Sequence, residues 1–200
     1  MKKISTLFKK DPNDLSRVID EVAPENYWAE EHGIPTRKFD GTACAIIGGV
    51  LYRRYDAKKN KKTGNFKKVP HLAIACQEPD LITGHWPHWV PCDRNNPVDK
   101  YYFEAFDVLG NKENGSYELC GEKVQGNPEQ IQGHKMIPHG IEKLDLKVFD
   151  FQTLRLFLSD VKNDIEGIVF YADDNSGRVC KIRKADFGIK REKIIKFKKS

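Results

Sequence analysis

The feature that limits this chain most is a set of short β-type segments, broken by glycine, between Ile34 and Tyr55. Ala43–Ile47 and Val50–Tyr55 flank Gly48-Gly49, and two such segments joined by a two-glycine turn read as a β-hairpin. Directly before them stands Ile34-Pro35-Thr36-Arg37-Lys38-Phe39-Asp40-Gly41-Thr42. Asp-Gly is a turn dipeptide, so Lys38 is placed where a strand ends or bends. The antiparallel run of the hairpin is expected to return Arg53 or Arg54 to the level of Lys38.

A lysine presented in this way has a chemical use. Its amine is a nucleophile once it loses its proton, and the ammonium gives up that proton more readily when desolvated or set beside other cations. Arg37 is such a neighbour. By itself, Lys-x-Asp-Gly reads first as a turn between strands that carries a solvated lysine, and it is its company elsewhere in the chain that changes the reading.

A second hairpin closes the sequence. Glu166–Tyr171 and Val179–Lys184 flank the turn Asp173-Asp174-Asn175-Ser176-Gly177. Lys181 and Arg183 share a face by the two-residue strand period. Glu166 joins that face if the pairing sum is odd, with Glu166 opposite Arg183, and a one-residue slip is expected to turn it away. Between the hairpins, Lys100–Leu109, Tyr117–Gly121 and Lys135–Ile141 read as strands. Pro70–Glu78 reads as a short element, and Gly84–Asp99 as an ordered irregular segment rich in Pro, Trp and Asn. Asp150–Asn163 is the clearest helix, with Phe151, Leu154, Phe157, Leu158 and Val161 at helical spacing, and a further helix is predicted over Leu15–Val22.

Two hundred residues, 32% charged and 39% hydrophobic, suit one globular domain with its own core, of α+β class. Basic residues gather in two places. Arg53, Arg54, Lys58, Lys59, Lys61, Lys62, Lys67 and Lys68 fall in one short stretch with Asp56 as the single acid, and a basic tail runs over about residues 185–200. Both suit phosphate contacts, and a solvated loop and a frayed tail read the same. No apolar run approaches a bilayer span and the N-terminus lacks the apolar core of a signal peptide, so the expectation is a cytoplasmic monomer with no membrane partner. The five cysteines are odd in number and widely spaced, which reads as reduced thiols, with Cys44, Cys120 and Cys180 as small core residues. His85, His88 and Cys92 have the residue types of a zinc site but no evident fourth ligand.

Four elements stand in order: Lys38-x-Asp-Gly, Glu118-Leu-x-Gly121, Glu166-Gly-Ile-Val and Lys181-x-Arg183. Together they resemble the covalent nucleotidyltransferases, the superfamily of ATP-dependent polynucleotide ligases and mRNA-capping enzymes. The nearest likeness is to the small stand-alone RNA ligases of the animal 5′-to-3′ type. It rests on Ile34-Pro35-Thr36-x-Lys38-x-Asp40-Gly41-Thr42, Trp89-Val90-Pro91, Gly126-Asn127-Pro128 and Pro138-His139-Gly140 as well, and runs from about residue 34 to residue 188.

The resemblance implies an adenylation-domain fold whose antiparallel sheets flank a nucleotide cleft. It implies Lys38 as the residue that becomes lysyl-AMP, and Glu118 and Glu166 as carboxylates on Mg2+ or Mn2+ or on the ribose. Lys181 and Arg183 would contact the α-phosphate, Arg53 or Arg54 the nucleotide or the 5′-phosphate, and His139 would stack on adenine. Arg37, counted among the ATP contacts, stands where these ligases often have Glu, so adenine recognition differs there. Sixteen residues follow Lys184, and the expectation is a single domain over 1–200 without an OB-fold. RNA grip then falls to Lys58, Lys59, Lys61 and Lys62 and to the tail, including Lys190 and Arg191. The implied activity is RNA repair: ATP-dependent joining of RNA 5′-phosphate and 3′-hydroxyl ends. A guanylyltransferase or DNA ligase of the same superfamily, and a binding protein with a vestigial or self-adenylylating site, are the alternatives.

Overall fold

The structure, a computed structural model, describes residues 2–191. Its strands are β1 (Ser5–Thr6), β2 (Phe8–Lys10), β3 (Val18–Val22), β4 (Gly33–Lys38), β5 (Thr42–Ile47), β6 (Val50–Asp56), β7 (Ile74–Ala75), β8 (Pro87–Pro91), β9 (Gly115–Gly121), β10 (His134–Pro138), β11 (Gly167–Ala172) and β12 (Val179–Arg183). The helices are α1 (Trp28–His32), α2 (Lys100–Asp107) and α3 (Phe151–Ser159). The architecture is α+β, with one mixed and two antiparallel sheets. Among the described residues the chain gathers into two compact units: Ile4–Asp40 with the chain from Gly140, and Gly41–His139 with Lys2 and Lys3.

The unit that carries Lys38 is built on a four-stranded sheet in the order β1-β12-β11-β4, parallel only between β1 and β12. Strand alternation divides its residues cleanly. Ile168, Phe170, Cys180 and Ile182 point to one side and are wholly buried against Leu154 and Leu158 of α3 and against Leu7, Phe8 and Trp28. Each large apolar side chain removed from water in this way contributes roughly 1.5–3 kcal/mol. Helix α3 begins where Asp150 caps it, accepting from the Thr153 amide at 2.9 Å, and ends at Ser159. Val161, expected on its apolar face, lies beyond that end and is exposed. The other edge of β4 is covered by the chain at 142–144, through Arg37 N to Glu142 O at 2.8 Å and Leu144 N to Pro35 O at 2.9 Å.

The predicted helix over Leu15–Val22 is a turn followed by a strand. Asp14 draws the Ser16 amide and hydroxyl onto its carboxylate, and the β-branched Val18, Ile19 and Val22 lie in β3, which pairs with β2.

The second unit holds a six-stranded antiparallel sheet in the order β10-β9-β5-β6-β8-β7, with the predicted hairpin β5–β6 near its centre. One face buries Cys44, Ile46, Leu51, Tyr117, Leu119 and Met136 against α2. Lys100–Leu109, expected as a strand for its aromatic content, supplies this helix. Tyr102, Ala105, Phe106 and Leu109 recur at helical spacing and turn to the core, and Lys100 and Glu104 pair one turn apart on the outside. The segment read as irregular contains β8, whose two prolines sit at its ends where ladder hydrogen bonds can be spared. None of the five cysteines is in a disulfide, and Cys44, Cys120 and Cys180 lie in the interior as expected. Among the described residues no helix is long and apolar enough to cross a membrane.

Candidate active site

In the first unit the ladder puts Lys38, the last residue of β4, beside Gly167 of β11, and Gly167 beside Arg183 of β12. The next row on the same face is Thr36, Val169 and Lys181. The Lys38 ammonium Nζ donates to Glu166 Oε2 at 2.5 Å and lies 3.4 Å from the Phe39 carbonyl. Lys38, Glu166, Lys181 and Arg183 are thus gathered in one place.

The pairing that achieves this is not the expected one. Gly167, and not Glu166, stands opposite Arg183, and Lys184 N donates to the Glu166 carbonyl at 3.0 Å, so the register is slipped by one residue. Glu166 nonetheless meets Lys38, because it precedes the first residue of β11 and is not bound to the strand's alternation. Gly167 leaves the row free of a side chain there. A Cβ on it would fall 2.3 Å from Ile182 O and 2.8 Å from Arg183 Cα, so the Glu-Gly pair is fixed by a close approach of backbones.

The cations here differ in their surroundings. Burial, and after it the neighbouring Lys38 and Arg183 charges, push the Lys181 ammonium down to about 8. Arg183 directs its fork at Asp186, with Nε to Oδ2 at 3.1 Å and Nη2 to Oδ1 at 2.9 Å. The Asp186 side chain is wholly enclosed and also accepts from Lys10 Nζ at 2.7 Å. Arg37 alternates to the face away from Lys38, lies 4.6 Å over the Phe39 ring and pairs with Glu142 at 3.3 Å.

The second unit carries the remaining candidates. Glu118 is buried, and its Oε2 lies 2.9 Å from His139 Nε2, while His139 Nδ1 lies 2.9 Å from Ser116 Oγ. Ser116 and Glu118 are two residues apart on one face of β9, and the imidazole bridges them along its edge. Parity puts the two arginines on opposite faces of the sheet. Arg53 is opposite Cys44 on the core face and its Nε meets the buried Asp99 Oδ1 at 2.8 Å. Arg54 alternates to the face that carries Glu118, lies 5.0 Å over the Trp89 ring and donates through Nη1 to Cys76 Sγ at 3.2 Å. Gly41 would set a Cβ 2.3 Å from Leu119 O, and its φ is not left-handed, so this glycine serves close packing on the Glu118 strand.

Of the residues assigned to RNA, Lys58, Lys59, Lys61, Lys62 and Lys190 are exposed. Arg191 instead turns inward to Asp164 and Asp40. The tail from 192 to 200 lies outside the described residues. His85, His88 and Cys92 do not gather as a zinc site. His85 pairs with Asp56, His88 Nδ1 meets the Trp86 carbonyl at 2.8 Å, and burial pushes the Cys92 thiol up to about 12. Among the described residues no group of three or more His, Cys, Asp or Glu is placed to hold a metal. Sequence reasoning missed Ser116, Asp164 and Asp186. The first two lie two residues before Glu118 and Glu166, a spacing that could have drawn attention to them, whereas Asp186 offered no signal.

No protein-family model matches the chain. It is similar to RNA ligase 1 of Pongo abelii, with 27% identity over 223 aligned positions that take in 78% of this chain and 67% of that protein. The chain is a distant homologue of that RNA ligase.

Proposed function

We propose that the chain is an ATP-dependent RNA ligase with an adenylation-domain fold, in which Lys38 carries AMP as a covalent intermediate. The observation that supports this most is the Lys38 amine held 2.5 Å from Glu166, with Lys181 in the adjacent row of the same face. In the first step the Lys38 ammonium gives one proton to Glu166, the freed amine nitrogen bonds to the α-phosphorus of ATP as the bond to pyrophosphate breaks, and the second proton shed by that nitrogen leaves with pyrophosphate. Lys181 neutralises charge that builds on the α-phosphate, and Arg183, steadied by Asp186, stands beside it. AMP then passes to an RNA 5′-phosphate, breaking the nitrogen–phosphorus bond, and an RNA 3′-hydroxyl displaces AMP to seal the strand.

Arg54, and not Arg53, takes the nucleotide or 5′-phosphate role in this reading, since Arg53 is committed to Asp99. Glu118 is the second functional carboxylate, with His139 oriented by Ser116. With Glu166 taking the Lys38 proton, magnesium or manganese would be held by the phosphates of ATP and one further carboxylate, for which Glu118 is the candidate. Single protein carboxylates fit that donor set, since magnesium at such sites takes one or two carboxylates plus substrate phosphates. The metal would stabilise negative charge on the phosphates. Lys58, Lys59, Lys61 and Lys62 would bind the RNA backbone.

Incubation with labelled ATP or GTP, with and without 5′-phosphorylated RNA, tests the proposal. Label from ATP on the protein that passes to RNA, and its loss in Lys38→Ala, is the expected result. A preference for GTP would favour a capping enzyme, and label that never leaves the protein a non-ligating module.

A further inference from the structure

Asp40 lies two residues after Lys38, Asp164 lies two residues before Glu166, and one guanidinium reaches both. Arg191 Nε donates to Asp164 Oδ1 at 2.8 Å, and its Nη2 donates to the Asp164 carbonyl at 2.8 Å and to Oδ2 at 3.4 Å. Its Nη1 stands 3.6 Å from Asp40 Oδ2, and the side chain is only 12% exposed, which is poor access for an RNA phosphate. The ladder between β4 and β11 ends at the Lys38–Gly167 pair, so both carboxylates lie just past its end. Those two short segments carry the amine and the carboxylate that must meet.

We propose that Arg191 is a positioning residue, a staple that joins the turn after Lys38 to the segment before Glu166 and so fixes the amine against its proton acceptor. This rests on the reading of Lys38 and Glu166 as the reacting pair. A fork with several donors can grip a carboxylate, a backbone carbonyl and a second carboxylate at once, which a lysine cannot do. Displacing a reacting group by about 1 Å is enough to slow a step by roughly 100-fold.

The test uses the full-length chain and follows transfer of AMP from labelled ATP to protein in a single turnover. With Arg191→Gln the rate at saturating ATP is expected to fall roughly 10- to 100-fold, while half-saturation by ATP and affinity for RNA stay as in the parent. Arg191→Lys should recover part of the rate. In an Asp164→Asn background the Arg191→Gln change should cost less than in the parent, since the carboxylate contact is already weakened while those to the Asp164 carbonyl and Asp40 remain. Amide hydrogen exchange should quicken at residues 38–41 and 164–167 and remain unchanged elsewhere. Parental labelling by Arg191→Gln would overturn the staple, as would lost RNA affinity with labelling intact, which would return Arg191 to an RNA surface. If the parent takes no label from either nucleotide, the reading of the reacting pair fails. The exchange data then decide the staple alone, and unchanged exchange at both segments would overturn it.

Discussion

Lys181 is predicted to weaken the fold that carries it. Its ammonium falls from the ordinary 10.5 to about 8, mainly through burial and secondarily through Lys38 and Arg183. A lysine whose folded pKa lies below its unfolded one binds fewer protons in the native state, so its penalty is complete below about 8 and fades as pH rises from there toward 10.5. At about 1.4 kcal/mol per pKa unit, the penalty is about 3 kcal/mol at pH 7 and about 1.5 kcal/mol at pH 9.5. Lys181→Met keeps the length and removes the charge, and an apolar replacement of similar volume should itself disturb packing by less than about 1.5 kcal/mol. The variant should therefore resist urea better than the parent at pH 7, and the gap between their midpoints should narrow by about half at pH 9.5. On the proposed function, the same variant should lose AMP uptake, since Lys181 is the cation assigned to the α-phosphate. A gap that does not change with pH, or a variant weaker than the parent at pH 7, would refute the reasoning.

Glu166→Gln keeps a hydrogen-bond partner for Lys38 but cannot accept its proton, and single-turnover AMP uptake should slow roughly 100- to 10,000-fold with ATP binding little changed. Arg53→Met strands the enclosed Asp99 and should cost about 3–5 kcal/mol in a denaturant titration, whereas Arg54→Met should fold normally and lose activity on RNA. Phe170→Ala empties a wholly buried site in the centre of the mixed sheet and should lower stability by about 3–5 kcal/mol by the same method.

The parts of this molecule that were legible in the sequence are those governed by neighbours in the chain. The two hairpins declared themselves by turn residues between apolar segments, helix α3 by its spacing, and Lys38 by the Asp-Gly behind it. The aromatic segment at 100–109 misled because Tyr and Phe favour strands by propensity, while its helical period of apolar contacts was the stronger fact. The register of β11 against β12 was not readable from alternation, because Glu166 sits one residue outside the strand and Gly167 has no side chain to mark a face. The choice between Arg53 and Arg54 needed the pairing with Cys44, and the inward turn of Arg191 depends on partners about 27 and 150 residues away in the chain.

The strand that ends in Lys38 finds its ladder partner in β11, about 130 residues further along. Protein synthesis adds roughly 5–20 residues per second, so Lys38 waits on the order of ten seconds before that partner leaves the ribosome. A product cut short before Glu166 would carry Lys38 but lack both the strand it pairs with and the carboxylate it binds, so interrupted translation would release the lysine without either partner.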